Sequence, residues 1–146
     1  MPQGGGWVQI SGLGQRANEF YGSAGSRRDF IGASRFDTRS AFITGSVGVL
    51  SGLEAWAQVP VHHLTVQSLG GDARSTGVGD VRVALRMGPE LVGVEFPVAV
   101  RLGAKFSGSE FPVDATQLPL TEGQTDWEAS LESGLPLGET GLYLMG

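Results

Sequence analysis

The chain has 146 residues, with 10 Lys and Arg against 15 Asp and Glu, and the resulting net charge of −5 argues against a nucleic-acid-binding surface. Glycine supplies 24 residues and proline 7, a combination that weakens helix interiors and disfavours a helical bundle. At 40% apolar residues the chain is not disordered, and without cysteine it can hold no disulfide, thiolate metal site or cysteine nucleophile.

No apolar run approaches the roughly 18 residues needed to span a bilayer as a helix. The start, Met1-Pro2-Gln3-Gly4-Gly5-Gly6-Trp7, lacks the basic and apolar regions of a signal peptide. A weak first strand is expected near Trp7–Leu13. A long connection follows, roughly residues 14 to 35. Its Arg27, Arg28 and Asp29 read as a solvated loop, with contact to lipopolysaccharide phosphate as the alternative.

Next, Ala41, Ile43, Val47 and Val49 alternate with Ser40, Thr44, Ser46 and Gly48. After a short turn at Leu50, Ser51 and Gly52, a second set (Leu53, Ala55, Ala57, Val59, Val61) alternates with Glu54, Trp56, Gln58, Pro60 and His62. Phe42 and Trp56 are misfits on the polar side, there to plug a lumen or mark bulges. His62 and His63, the only histidines, point to opposite faces of a strand. A metal site needs convergent ligands, so none is expected; Ser-His-Asp hydrolysis would need one histidine beside a positioned serine, and the sequence singles out no nucleophile.

A middling connection runs from about Ser68 to Gly77. The stretch Thr76-Gly77-Val78-Gly79-Asp80 lacks the Gly-Lys-Ser/Thr ending and the following helix of a phosphate loop, and reads as a turn into the next strand. There Val81, Val83, Leu85 and Met87 alternate with Asp80, Arg82, Ala84 and Arg86. A short turn at about Gly88–Gly93 leads to the clearest signal. From Val94 to Phe106 the even positions (Val94, Phe96, Val98, Val100, Leu102, Ala104, Phe106) are all apolar, while Glu95, Pro97, Ala99, Arg101, Gly103 and Lys105 fall between them. A helix would put Val98, Arg101, Leu102 and Lys105 on one face; a strand separates the sets. A long connection, about Ser107 to Gly123, precedes Trp127, Ala129, Leu131 and Leu135, which alternate with Asp126, Glu128, Ser130, Glu132 and Gly134. A short turn near Pro136–Glu139 and a weak strand near Gly141–Met145 complete seven strands with no convincing helix.

Alternation alone serves a soluble sheet, apolar side inward, as well as a membrane barrel, apolar side to lipid. Strands of about 10–13 residues match a membrane span better than the soluble mode of about 5–6. Phe96 and Phe106 lie ten residues apart on the apolar side; tilted about 40°, that length projects to about 25 Å, the height of the apolar band between aromatic girdles. Connections alternate long and short, the loop rule of outer-membrane barrels. The expected fold is therefore all-β: an antiparallel, strongly curled up-and-down meander of about seven long strands, part of a transmembrane β-barrel. Residues 1–146 form a single domain. Seven strands is an odd number, bacterial single-chain barrels are even, and the chain stops in mid-strand at Leu144-Met145-Gly146. Further C-terminal strands are therefore expected to be missing.

Lumen-lining candidates are Asp80, Arg82, Arg86, Glu95, Arg101, Lys105, Asp126, Glu128 and Glu132. Lipid-facing candidates are Val81, Val83, Leu85, Phe96, Val98, Val100, Leu102, Phe106, Trp127 and Leu131. Asp126, Glu128 and Glu132 share a face and could hold Ca²⁺ or act as a carboxylate pair, but a lumen wall balanced by Arg101 and Lys105 is the simpler reading. If Met87 lies opposite Val94, Arg86 faces Glu95 and Asp80 faces Arg101. If Lys105 lies opposite Asp126, Arg101 faces Ser130, with Glu128 and Glu132 on its diagonals. The two registers would string these charges into one ladder centred on Arg101.

The chain resembles the outer-membrane β-barrel family named for the meta-pathway of phenol degradation, a family of transporters. The resemblance lies in Gly4-Gly5-Gly6-Trp7; the strand Leu53-Glu54 to Val59-Pro60 after a Ser-Gly turn; and Thr76-Gly77-Val78-Gly79-Asp80-Val81. It continues in Lys105-Phe106-Ser107-Gly108 and Glu122-Gly123-Gln124-Thr125-Asp126. Order and spacing carry it, not any single motif. It implies residence in the outer membrane of a Gram-negative-type bacterium, with membrane lipid and an unidentified small solute as partners, and no substrate can be named from it. Passive passage along a polar lumen, with no cofactor, metal or catalytic residue, is the expected function. The rival is a soluble all-β binding or adhesion module, lipocalin-like or sandwich-like.

Overall fold

The computed structural model describes residues 1–91, 93, 97–110, 118–136 and 143–145. Among the described residues ten strands form: β1 (Gly6–Ala17), β2 (Glu19–Tyr21), β3 (Arg27–Asp29), β4 (Arg35–Leu50), β5 (Leu53–Ser68), β6 (Gly71–Val78), β7 (Val81–Met87), β8 (Val98–Phe106), β9 (Asp126–Pro136) and β10 (Tyr143–Met145). Among the described residues the only helical segments are two three-residue 3-10 turns, Ile31–Ala33 and Pro89–Leu91. The main sheet is an antiparallel meander in the order β1-β4-β5-β7-β8-β9-β10, with β6 paired to β5, while β2 and β3 form a separate small hairpin. The all-β, antiparallel, sequence-order meander expected from the alternation is the architecture observed.

The strands differ from the sequence reading in three places. β4 and β5 are each 16 residues long and pair along almost their whole length, broken by one irregularity between Gly48 and Leu50. The connection expected from Ser68 to Gly77 is largely a strand: β5 turns at Leu69-Gly70 and returns as β6, pairing Val61↔Val78 through Ser68↔Gly71. Likewise, the long first connection holds the β2–β3 hairpin, in which Phe20 stacks on Phe30 with ring centroids 5.5 Å apart.

Pro60 sits inside β5, where a proline in a central strand would break a ladder. The sheet is arranged around it. β7 covers one end of the β5 edge (Leu53–Gln58) and β6 the other (Val61–Ser68). Between them the Gly79 N–H donates to the Pro60 carbonyl at 3.0 Å, so the side of Pro60 that lacks a donor faces this break. The lower turn is equally tight: Gly52 has φ 76°, and a Cβ there would come within 2.4 Å of the Leu91 nitrogen.

The β8–β9 register has Lys105 opposite Asp126 and Arg101 opposite Ser130, as expected. The β7–β8 register does not match. Met87 lies opposite Val100 and Arg86 opposite Arg101, a shift of six residues from the expected Met87–Val94 pairing. β8 starts at Val98, directly after Pro97, which has no N–H to contribute to a strand flanked on both sides. A 3-10 turn at Pro89–Leu91 further lengthens the connection beyond a tight hairpin. Glu95 and Phe96, and with them the proposed Arg86–Glu95 pair and the Phe96–Phe106 girdle spacing, lie outside the described residues.

Candidate functional site

Alternation and register assign every described side chain of the main sheet to one of two faces. Over the lower part of the sheet one face carries Ser40, Thr44, Ser46, Glu54, Gln58, Arg82, Arg86, Arg101, Lys105, Asp126, Glu128, Ser130 and Glu132. The opposite face carries Val8, Ile10, Ile43, Val47, Ala57, Val59, Val83, Leu85, Val100, Leu102, Phe106, Trp127 and Leu131. Burial runs against the habit of a water-soluble sheet. On the polar face Ser40, Thr44, Ser46 and Lys105 are buried. On the apolar face Leu85 and Leu102 are each 49% exposed and Trp127 82%, and no further layer of the described chain covers them.

Side chains on the polar face reach across intervening strands. Arg86 on β7 donates from Nε to Glu132 on β9 at 2.7 Å and lies 3.7 Å from Glu54 on β5. Those carboxylates offset the like-charged Arg101 placed directly opposite it. Arg82 lies 3.9 Å from Glu128. Arg101 is 3.9 Å from Glu132, and its guanidinium stacks 4.4 Å from the Trp56 ring centroid. This is the role of the misfit tryptophan: it neither marks a bulge nor stands free, but gives Arg101 a flat apolar platform two strands away. Phe42, the other misfit, meets the His62 ring edge-on at 6.0 Å, and His62 Nδ1 is 2.7 Å from Ser40 Oγ. His63 is on the other face, 2.6 Å from Thr76 Oγ1, so the two histidines do not converge.

The single ladder centred on Arg101 does not form among the described residues: the charges fall into separate groups, one around Arg86 and Arg101, the Arg82–Glu128 pair, and one around Lys105. Asp80 does not face Arg101. It lies 3.9 Å from Lys105 Nζ and accepts the Glu122 backbone N–H at 3.3 Å. Lys105, with a side chain only 6% exposed, is bonded to Asp126 at 2.6 Å and to Glu122. Burying an ammonium is costly unless it is paired, and here three carboxylates surround it. Sequence reasoning missed Glu122 and Glu54, and also the N-terminal ammonium of Met1, which lies 2.7 Å from Glu54. Glu54 was detectable, since it falls on the polar side of its strand; Glu122 sits in a connection, where alternation carries no signal.

The lipid-facing candidates Val81, Val83, Leu85, Val98, Val100, Leu102, Phe106, Trp127 and Leu131 share the apolar face. This face is not smooth. One register row reads Val8, Gly45, Ala57, Val83, Ala104, Trp127. Its small central members and bulky ends leave an open trough with a volume of about 960 Å³.

The apolar face ends at one level of the sheet. On that face the row Gly12, Ala41, Val61, Val78 is the last apolar one on β1, β4, β5 and β6. The next rows on that side are Gly14, Arg39, His63, Thr76, then Arg16, Asp37, Thr65, Arg74, then Arg35, Gln67, Asp72. The opposite side stays mixed above that level, through the rows Leu13, Ser40, His62, Gly77 and Gln15, Thr38, Leu64, Ser75, and is apolar only in the last row, Ala17, Phe36, Val66, Ala73. Arg16 and Arg35 hold Asp37 at 2.6 and 2.9 Å, and the Arg16 hydrogen bond draws its carboxyl below the usual carboxylate range. No family model, curated protein or solved structure matches the chain.

Proposed function

We propose that this sheet is part of the wall of an outer-membrane β-barrel, with the apolar face toward lipid and the polar face lining a passage for small solutes. The observation that carries this reading is the end of the apolar face at a single register level across four strands, where it gives way to arginine, histidine and threonine. A sheet wholly in water, packed on one side, has no reason to end its apolar face at one level halfway along four strands. A strand leaving a bilayer does, because the surrounding medium changes there. Below that level the belt runs from Ala41 to Val49 on β4 and from Leu53 to Val61 on β5. Eight residues at about 3.3 Å each, tilted about 40°, project to about 20 Å, close to the apolar band of such barrels. Passage would be passive, with selectivity set by the charges around Arg86, Arg101 and Lys105. A transporter of the family the sequence resembles fits this reading.

The trough favours a second reading, a soluble all-β module that takes an apolar ligand against Gly45, Ala57 and Ala104. One experiment separates the two. The chain has no cysteine, so Leu85→Cys and Leu102→Cys report the apolar face, and Gln58→Cys and Ser130→Cys the polar face, without background labelling. Each carries an environment-sensitive fluorophore in lipid vesicles. The barrel reading expects quenching by brominated lipid at the first pair and by aqueous iodide at the second. Iodide quenching at all four positions, with a monomer that stays soluble without detergent, establishes the soluble module instead.

A further inference from the structure

On that same face, the rows above the apolar belt gather four of the chain's ten basic residues: Arg16, Arg35, Arg39 and Arg74. Two carboxylates, Asp37 and Asp72, share this surface, so it is positive by two charges on a chain whose net charge is −5. Asp37 is engaged by both Arg16 and Arg35, and Asp72 lies 3.7 Å from Arg74. Arg39 is exposed and, among the described residues, has no carboxylate within salt-bridge distance. It also stands in the first polar row, between Gly14 and His63, next to the Ala41–Val61 edge of the belt. Gly14 adds no side chain to obstruct approach from that side.

An arginine surface placed there is matched by one chemistry. Guanidinium groups bind phosphate oxygens through paired N–H donors. Directly opposed strand positions lie about 5 Å apart and diagonal ones about 7–8 Å. Arg39 and the diagonal Arg16 can thus reach one phosphate, and Arg74, two strands along, a second. The belt below offers acyl chains an apolar wall. We infer that this surface binds the phosphate groups of a lipid headgroup, with Arg39 as the central ligand and Arg16, His63 and Arg74 around it. The inference rests on the bilayer reading, which places the first polar row at headgroup depth.

The test uses the full chain in nanodiscs of zwitterionic lipid, doped with either a bis-phosphorylated acylated glycolipid or its dephosphorylated counterpart. Lipid retention is read by native mass spectrometry. The expected result is selective retention of the phosphorylated lipid. It should weaken about tenfold on Arg39→Ala, as the loss of one charge-assisted bond implies. It should recover in part with Arg39→Lys and fall again with Arg74→Glu, a variant that keeps Arg39. Inorganic phosphate at millimolar concentration should leave it unchanged. Equal retention of the two lipids, unchanged retention in both Arg39→Ala and Arg74→Glu, or full displacement by inorganic phosphate overturns the headgroup site. Fluorophore quenching at Leu85→Cys in the same discs separates the two failures. An embedded protein with no phosphate preference refutes this inference alone, whereas a protein outside the lipid refutes the bilayer reading beneath it.

Discussion

Val83→Arg discriminates most sharply among the environments the apolar face could meet. Val83 lies in the register row of Gly45 and Ala57, four residues from Ala41 and four from Val49 on the β4 scale. At about 3.3 Å per residue and about 40° of tilt, that is about 10 Å from either edge of the belt, which the barrel reading puts at the bilayer midplane. An arginine facing lipid at that depth costs about 2–4 kcal/mol. Val83 is already 40% exposed, so in water the same change should fall within about 0.5 kcal/mol of neutral. Val61→Arg is the matched control: it occupies the last apolar row and should cost about 0–1 kcal/mol in a bilayer. The measurement is reversible urea unfolding in lipid vesicles, followed by the fluorescence of the three tryptophans. A graded loss, large at Val83 and small at Val61, is expected. Equal and near-zero effects at both positions would falsify the midplane placement and with it the lipid-facing assignment.

Arg101→Glu replaces a cation stacked on Trp56 with an anion beside Glu132, so planar-bilayer recordings should show reversal potentials shifted toward cation selectivity; unchanged potentials would remove Arg101 from the permeation path. Lys105→Met strands Asp80, Glu122 and Asp126 beside one another, and the variant should lose most stability at neutral pH and recover on acidification, with a pH-independent loss pointing to packing instead. Asp37 gains stability from its lowered carboxyl pKa; that contribution is present above the unfolded carboxylate range and disappears as pH falls through the folded value. Asp37→Asn should therefore be less stable than the wild type at neutral pH, and the gap should close in acid unfolding curves.

Alternation made the long strands legible because each lower segment meets a different environment on each side. The β8–β9 register was legible too, since Lys105 and Asp126 complement each other at the strand ends. The β7–β8 register was not: treating Val94 to Phe106 as one strand ignored the missing donor of Pro97, and the shift left Arg86 and Arg101 opposed. β6 reads Gly-Asp-Ala-Arg-Ser-Thr-Gly-Val, with almost no apolar residue to set a period, so it passed for a connection. The end of the apolar face lay in plain view on β4, where the odd positions pass from Arg35, Asp37 and Arg39 to Ala41 and Ile43. Its meaning appears only when the registers line up four strands and the change falls at one level.

That level also bears on how the sheet, once placed, stays in place. The β4–β5 hairpin closes at its lower end with the tight Ser51-Gly52 turn and carries Arg16, Arg35, Arg39 and Arg74 at or beside its upper end. In a bilayer these arginines stand on one side of the hydrocarbon. Withdrawing the hairpin would drag them through the midplane at about 2–4 kcal/mol each. The same barrier opposes spontaneous entry from the turn side, so insertion in that direction calls for assistance or a locally thinned membrane, while retention calls for neither. In a bilayer the charged rim would thus act as a kinetic latch, giving residence times that the equilibrium stability of the sheet alone would not.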